Sequence, residues 1–341
     1  MRDGEQRASS RPSTPVPVVH ATDQDSMRLV ARVAWMYHVR SMKQSEVADA
    51  LGLSQSRVSR LLDTATSLGI VRTTVRIPEG LHLDLEQSLI DAYGLRGAHV
   101  FDLSDTSSEP QMLNDLGNLL ATYLSENPLT GDIIGITSWS RTLREAVRVL
   151  EVMSDIRASY VVEMLGDVGP HEAQHEAAEV TQQLARLTGA QSRFLRVPGV
   201  VGSVNLRATL LEHDAHARET LSLFDRMDEA LVAIGTCTVD PPLRAGENFF
   251  THTQLAEAQK QGAVGQVNLR FIDSTGQPIK SKLDDLVIGV SLEQLRACPR
   301  TIAVAGGPNK HAAIYSAIAG GWVNTLVTDV DTANYLTERA I

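Results

Sequence analysis

Between residues 43 and 62 the sequence carries a run of side chains that can donate hydrogen bonds to DNA. The run is KQSEVADALGLSQSRVSRLL, in which Gly52 allows a tight turn and Ser54 can cap the helix that follows. The polar positions of that second helix are Gln55, Ser56, Arg57, Ser59 and Arg60. Such side chains at the start of a recognition helix reach base edges and phosphates in the major groove. The spacing therefore predicts a helix-turn-helix that binds DNA.

Apolar residues at helical spacing must hold these two helices against one core. They are Val47, Ala48 and Leu51 in the first helix, which we expect Ser45 to cap, and Val58, Leu61 and Leu62 in the second. Basic and polar residues flank both helices. The complete set of expected DNA contacts is Lys43, Gln44, Ser54, Gln55, Ser56, Arg57, Ser59, Arg60 and Arg72.

Charge is distributed unevenly along the chain. Residues 26–76 contain eight Lys or Arg and three Asp or Glu, a net charge of +5, whereas residues 77–341 have a net charge of −14. An ordinary helical hairpin with a solvated polar face is the alternative to a helix-turn-helix. A basic module on an acidic body favours DNA binding, because neutralised phosphates supply most of the non-specific affinity.

Composition changes along the chain predict two domains and two connecting segments. Residues 1–25 are polar and proline-rich, so we expect a disordered tail. Residues 26–77 form the expected winged helix-turn-helix domain, in which residues 70–77 (IVRTTVRI) supply the wing strand. Residues 78–92 are the expected linker, and residues 93–341 form the expected effector and oligomerisation domain.

The whole chain has the composition of a globular protein. It has 341 residues, of which 43% are hydrophobic, and no apolar run is long enough to span a membrane. Cys237 and Cys298 have neither metal-site nor disulfide spacing. We therefore expect a cytoplasmic protein that needs no metal or cofactor.

The second domain alternates between strand patterns and helix patterns. We expect strands over residues 98–103, 132–136, 160–165, 194–197, 229–234, 301–305 and 325–328. Alternation of this kind predicts a mostly parallel sheet with helices on both faces, a Rossmann-like α/β fold. Ligands of such sheets bind at the carboxyl ends of the strands.

Two strand-to-helix turns have the composition of anion sites. The first turn is Gly135–Ser140 and the second is Gly306–Lys310. Hydroxyls, free backbone amides and a lysine at a helix start suit a phosphate. Either turn alone is more often an ordinary turn, but both on one sheet predict a sugar-phosphate pocket. Its expected residues are Gly135, Thr137, Ser138, Trp139, Ser140, Gly306, Gly307, Asn309 and Lys310.

Other polar residues are weaker candidates for the same pocket. Asp167, after Gly166, can bind a sugar hydroxyl or simply cap the next helix, and Asp240 and Glu247 are either hydroxyl ligands or solvated loop charges. Residues 171–175 read HEAQH, a formal zinc-protease motif. The surrounding helix lacks the apolar stripe of a buried catalytic helix, so an exposed face or a pocket role for Gln174 is favoured over metal binding.

The chain resembles the SorC family of sugar-responsive bacterial transcription regulators. The matching segments are MRLVARVAWMYHVRSMKQSEVADALGLSQSRVSRLL, GIVRTTV, GDIIGITSWSRTL, EALVAIGT, DDLVIGVSLEQLR and IAVAGGPNKHAAIYSAIAGGWVNTLVTD. The resemblance implies a winged-helix domain on an effector domain similar in fold to ribose-5-phosphate isomerase and glucosamine-6-phosphate deaminase. It also implies a homo-oligomer, a dimer or tetramer, whose binding to operator DNA responds to a sugar or polyol effector, usually phosphorylated. The turns at 135–140 and 306–310 fall where the family holds its effector.

Three residues depart from the family pattern. Asp167 replaces a glycine, Gln266 stands where an acid is common, and Val330 replaces an acid. A carboxylate at 167 would repel a nearby phosphate, which leaves an unphosphorylated polyol open as effector. The sequence thus predicts a ligand-controlled regulator of a carbohydrate or polyol operon. The alternatives are a sugar-phosphate isomerase-like or deaminase-like enzyme fused to a DNA-binding domain, and a purely architectural DNA binder.

Overall fold

A computed structural model describes residues 21–72, 80–103, 108–151, 158–238, 243 and 248–340. The backbone contacts divide the chain into two units, residues 1–76 and residues 77–341, which we call the head and the body. Among the described residues, no helix is both long enough and apolar enough to cross a membrane.

The described part of the head, residues 21–72, forms three helices around one apolar core. They are α1 (Ala21–His38), α2 (Gln44–Leu51) and α3 (Gln55–Ser67). The core consists of Val30, Val33, Ala34, Val47, Ala48, Val58, Leu62 and Ala65. The tail was predicted to extend to residue 25, which is wrong at its end, because α1 already begins at Ala21.

The turn between α2 and α3 confirms the predicted helix-turn-helix. Gly52 has φ 62°, a left-handed conformation that a side chain disfavours. Ser54 caps α3 by accepting a hydrogen bond of 3.3 Å from the Arg57 amide. Ser45 is not a cap, because α2 already begins at Gln44 and its N-cap residue is Lys43. The Lys43 amide donates to Glu46 Oε2 at 2.7 Å. Residues 73–77 of the expected wing lie outside the described residues.

The expected linker contains a helix, and that part of the prediction is wrong. Helix α4 (Leu83–Tyr93) occupies most of residues 78–92 and ends at Gly94, whose φ is 66°. Its Leu89 is completely buried, and Ile90 packs against the same cluster. The proline and glycine at the start of the segment suggested a linker, but the apolar residues that follow have helical spacing and bind α4 to the body.

The described residues of the body form ten strands in two sheets. The strands are β1 (Gly97–Phe101), β2 (Ile133–Ile136), β3 (Tyr160–Glu163), β4 (Gln191–Arg193), β5 (Glu229–Val232), β6 (Ile234–Gly235), β7 (Ala263–Val267), β8 (Arg270–Asp273), β9 (Arg300–Val304) and β10 (Thr325–Asp329). Seven of them form a sheet in the order β1-β10-β9-β5-β2-β3-β4, in which every neighbouring pair is parallel. The predicted parallel α/β fold is confirmed.

Helices cover the sheet on both faces. Those following α4 are α5 (Glu109–Glu126), α6 (Arg141–Val149), α7 (His171–Thr188), α8 (Val204–His213), α9 (Ala215–Ser222), α10 (His252–Lys260), α11 (Leu292–Ala297), α12 (His311–Ala319) and α13 (Val330–Thr337). Side chains alternate between two apolar clusters: Ala230 and Val232 belong to one, and Leu231 to the other. This alternation is what a strand buried on both sides requires.

One predicted strand is misplaced, and one small sheet was not predicted. The edge strand is β4, at residues 191–193, rather than residues 194–197. Leu195 and Val197 are buried, but the Leu195 amide donates to the Glu163 carboxylate instead of continuing the ladder. Strands β6, β7 and β8 form the second sheet, which is antiparallel. Its tight hairpin turn places Asn268 and Leu269 at positive φ, 48° and 61°.

The order of the strands identifies one place for a ligand. From β2 the chain proceeds outward to β3 and β4, then returns to the other side of β2 as β5 and continues outward through β9 and β10. The direction of winding therefore reverses between β2 and β5. In parallel sheets the crevice at the carboxyl ends of such a pair is the usual ligand site.

Candidate functional site

One face of the head presents polar side chains that its core does not use. Of the nine expected DNA contacts, Gln44 and Ser59 are half-buried and the other seven are exposed. Val58, Leu62 and Ala65 occupy the buried side of α3. The Arg57 and Arg60 side chains therefore extend from the side of α3 that faces away from the core.

Local hydrogen bonds organise the start of α3. Ser54 Oγ and Ser56 Oγ lie 3.2 Å apart, and Arg60 Nε donates to the Ser56 carbonyl at 3.4 Å. The amino end of a helix also carries partial positive charge. Short hydroxyls and guanidinium groups at this end can bind phosphates and the acceptor atoms of bases.

The body has a cavity of about 280 Å³ at the carboxyl ends of β2, β5 and β9. It lies where the strand order reverses. Both turns that the sequence singled out contribute to it, although more than 160 residues separate them. The lining residues are Glu109, Met112, Leu113, Leu116, Trp139, Ser140, Arg141, Thr142, Ala233, Ile234, Gly235, Thr236, Thr238, Leu243, Phe249, Gln266, Gly306 and Lys310.

The charged groups of this lining favour an anion. Arg141 and Lys310 are cationic, and Glu109 is the one acidic residue among the described lining residues. Arg141 Nη2 lies 2.7 Å from Glu109 Oε1. Ser140 caps α6 by accepting from the Leu143 amide at 3.3 Å, so the cavity also meets the amino end of a helix.

Four of the nine predicted turn residues line the cavity: Trp139, Ser140, Gly306 and Lys310. Gly135 and Thr137 have structural roles instead. A Cβ on Gly135 would lie 2.5 Å from Met227 Sδ, so the glycine allows close packing. Thr137 is completely buried, and its hydroxyl donates to Asn268 Oδ1 at 2.7 Å.

The other turn residues lie beside the cavity rather than on it. Ser138 lines a smaller neighbouring depression. The amide of Gly307 donates to Asp329 Oδ2 at 2.8 Å, so the protein itself occupies the amide that was expected to bind an anion. Asn309 is exposed.

Asp167 is paired with an arginine instead of facing the cavity. Its Oδ1 accepts from Arg196 Nη1 at 2.8 Å. Burial raises the pKa of Asp167, and Arg196 opposes that rise. Gly166 lacks room for a side chain beside the Val197 carbonyl. The departure from the family pattern at residue 167 thus places no unpaired carboxylate among the described lining residues.

The remaining candidates do not contribute to the cavity as described. Gln174 donates from Nε2 to the Gly169 carbonyl at 2.9 Å, which closes the turn before α7. Asp240 and Glu247 lie outside the described residues. His171 and His175 are exposed, and His175 pairs with Glu179 at 3.3 Å. In the described part of the chain, no three His, Cys, Asp or Glu side chains are arranged to hold a metal ion.

Comparison with known proteins extends these observations to the whole chain. Residues 79–338 match the family described as "Putative sugar-binding domain". The deoxyribonucleoside regulator of Bacillus subtilis (strain 168) is 31% identical over 92% of this chain and 98% of its own length. The sorbitol operon regulator of Klebsiella pneumoniae is 28% identical over 92% and 99%. The crystal structure of full-length SorC from Klebsiella pneumoniae superposes with a TM-score of 0.67 at 28% identity, covering 92% of this chain and 99% of that one.

The chain belongs to the SorC family of sugar-responsive transcriptional regulators. These relatives match the head as well as the body, because the alignments cover nine-tenths of the chain. They are named as regulators. This SorC-family chain is therefore a DNA-binding regulator with a sugar-binding domain, and not the isomerase-like or deaminase-like enzyme that the sequence left as an alternative.

Sequence reasoning missed the side of the cavity that β6 and β7 supply. Thr236, Thr238 and Gln266 line it there. Gln266 is 7% exposed, and its Oε1 accepts from the Leu269 amide at 2.8 Å. Two-residue β6 carries too little periodicity to predict the small sheet, so no local signal could assign these residues to the cavity. Arg141 was missed because it follows the turn by one residue.

Proposed function

We propose that this SorC-family regulator binds the operator of a carbohydrate or polyol catabolic operon through α3. In this proposal a sugar or polyol phosphate in the cavity of the body controls that binding. The protein acts in the cytoplasm, where its operator is, and needs no cofactor besides the effector.

The convergence of the two turns on one cavity carries this proposal. Residues 139–142 and Gly306 with Lys310 come from different strand ends, yet they line the same 280 Å³. That volume suits a small polar metabolite. The lining has two cations, of which Arg141 is paired with Glu109, together with the amino end of α6 and several hydroxyls. This set favours a ligand with an anionic end and a hydroxyl-bearing end.

Pairing of Asp167 supports a phosphorylated effector over an unphosphorylated polyol. Its negative charge was the reason to leave the polyol open. Arg196 lies 2.8 Å from that carboxylate and offsets the charge. Lys310 and Arg141 are the cations that line the cavity. The phosphate is therefore expected beside these two residues.

A homo-oligomer, a dimer or tetramer, follows from the way helix-turn-helix proteins bind DNA. One α3 helix contacts a few base pairs, and two heads must meet half-sites about one helical turn apart or a multiple of that distance. An effector that prefers one arrangement of subunits then changes operator affinity.

The test uses the full-length protein and operator DNA selected from random duplexes. Fluorescence anisotropy measures operator affinity in the presence of ribose 5-phosphate, 2-deoxyribose 5-phosphate, glucose 6-phosphate, sorbitol 6-phosphate and their unphosphorylated parents. We expect a phosphorylated compound to change operator affinity about tenfold, the usual range of allosteric coupling. Lys310→Ala should abolish the response without changing affinity in the absence of compound, whereas Lys260→Ala on α10 should respond as wild type does.

Three results would oppose the proposal in whole or in part. Equal responses of Lys310→Ala and wild type would place the phosphate elsewhere. Conversion of any of these compounds, detected by NMR of the mixture, would support the enzyme alternative. A response to unphosphorylated compounds alone would keep the regulator but reject the phosphate.

A further inference from the structure

Asp329 is a buried carboxylate that belongs to two structural features at once. It is the last residue of β10 and the N-cap of α13, and only 2% of it is exposed. Its Oδ1 accepts from the Thr332 amide at 2.8 Å, and its Oδ2 accepts from the Thr332 hydroxyl at 2.6 Å. Oδ2 also accepts from the Gly307 amide at 2.8 Å. The carboxylate thus joins the start of α13 to the turn at Gly306–Lys310.

The shape of that turn depends on this carboxylate. Gly307 has φ 88°, and its buried amide has Asp329 and the Thr332 hydroxyl as acceptors, at 2.8 and 3.2 Å. A Cβ on Gly306 would collide with Asp329 Oδ2. A buried amide that loses its acceptor is destabilised, so the turn would rearrange. Gly306 and Lys310 line the cavity, and a change in the turn therefore reaches the cavity.

The other end of α13 is joined to α4. Tyr93 Oη donates to the Leu336 carbonyl at 2.7 Å. Leu89, Ala333 and Leu336 belong to one buried cluster. Helix α4 begins at Leu83, within the first residues of the body after the boundary at residue 76. A continuous series of hydrogen bonds and packed side chains therefore connects the cavity turn with the carboxyl half of α4, the first helix of the body among the described residues.

We propose that Asp329 is a positioning residue that holds the Gly306–Lys310 turn, and that α13 and α4 transmit changes in this turn to the segment from which the head emerges. The inference deepens the proposed function and rests on it for the effector. A ligand anchored by Lys310 alters the turn, the Gly307 amide pulls on Asp329, and α13 shifts against α4. Coupling then needs no direct contact between effector and head.

Hydrogen–deuterium exchange of the full-length protein without ligand or DNA tests the connection. Asp329→Asn removes one acceptor, and Thr332→Val removes a hydroxyl at constant shape, which matters if the first variant folds poorly. Both should raise exchange about tenfold in peptides covering residues 306–310 and 330–337, and measurably in residues 83–93. Tyr93→Phe should raise exchange in α4 and the end of α13 and leave the turn unchanged. The matched control is Asp214→Asn, an aspartate N-cap whose Oδ1 accepts from the Ala217 amide at 2.9 Å and whose effect should stay in α9.

If residues 83–93 exchange at the wild-type rate in both Asp329→Asn and Thr332→Val, the route through α13 is overturned. Unchanged exchange in the turn would overturn the positioning role. Calorimetry with inorganic phosphate is the second readout. Thr332→Val should bind phosphate about tenfold more weakly, while Tyr93→Phe should bind it as wild type does. If wild type binds no phosphate, the proposed effector class fails, but the exchange experiment still decides the connection.

Discussion

Polar side chains have opposite roles on the exposed face of α3 and in the turns of the body. In the head, Arg57 and Arg60 are exposed, and the core is complete without them. In the body, Thr137 donates to Asn268, and Asp329 holds Gly307. These polar groups near the cavity are therefore occupied by the fold itself.

This difference separates what a substitution can reveal in each region. Exposed residues of the head can be changed with small effects on stability, so a loss of DNA binding reports on contacts. Buried polar residues of the body are satisfied in pairs, and removing one partner leaves the other unsatisfied. There, stability must be measured before any loss of ligand response is interpreted.

The largest effect is expected in the head. Arg57→Ala/Arg60→Ala should weaken specific operator binding 100-fold or more, at about 1–3 kcal/mol for each base-reading arginine, with an unchanged unfolding temperature. Arg28→Ala/Arg32→Ala removes the same charge from exposed positions of α1. That control should lose only a few-fold in affinity. Equal losses in both variants, measured by anisotropy at one salt concentration, would mean that α3 contributes charge and no sequence recognition.

The next largest effect is expected at Glu163 in the body, on the free energy of unfolding. Burial raises the pKa of Glu163 to about 7, against the opposing influence of Arg196 and the Leu195 amide. A carboxyl whose pKa is raised in the folded state stabilises the fold at low pH and loses that contribution as the pH rises through about 7.

The Glu163→Gln variant keeps the side chain neutral at every pH. Relative to wild type, its free energy of unfolding should increase by on the order of 3 kcal/mol between about pH 5 and about pH 8. Urea unfolding at both pH values measures the change. Parallel pH dependences of the two proteins would show that Glu163 is already ionised near neutral pH in the folded state.

A smaller loss of stability is expected for Thr137→Val. The substitution leaves Asn268 Oδ1 without its donor in a fully buried position, which should cost about 1–3 kcal/mol. Thr122→Val on the exposed side of α5 should cost less than about 0.5 kcal/mol. Effector affinity of the folded Thr137→Val protein should stay within a few-fold of wild type. A selective loss of affinity at unchanged stability would return Thr137 to the ligand site.

The smallest effect is expected at the zinc-like motif. His175 pairs with Glu179 on an exposed helix face. His175→Ala should change the free energy of unfolding by less than about 0.5 kcal/mol, and a zinc chelator should leave operator binding unchanged. Loss of zinc from the wild-type protein with a fall in unfolding temperature would contradict this assignment.

The same comparison explains how far the sequence could predict the structure. The helix-turn-helix is encoded by neighbouring residues, so Gly52, Ser54 and the apolar spacing were sufficient to predict it. The parallel sheet was also predictable, because its strands are short apolar runs separated by helices. The linker prediction failed because Pro78 and Gly80 were given more weight than the helical spacing of the apolar residues after them, and the sequence does not show the partner of Leu89 in the body.

The cavity was only half predictable for a related reason. Sequence composition identified both turns, and Trp139, Ser140, Gly306 and Lys310 do line the cavity. Sequence composition could not show which polar groups are hydrogen-bonded within the fold, because the partners of Thr137 and Gly307 lie 131 and 22 residues further along the chain. Tertiary contacts decide whether a hydroxyl or an amide remains available to a ligand.

Reciprocal binding shows whether the cavity of the body controls the head. One measures the affinity for the phosphorylated compound with and without saturating operator, and the affinity for operator with and without saturating compound. If the cavity controls the head, the two affinities change by the same factor, about tenfold, and Lys310→Ala abolishes that change. Tight binding of the compound to the wild-type protein, with a factor of one in both directions, would contradict it.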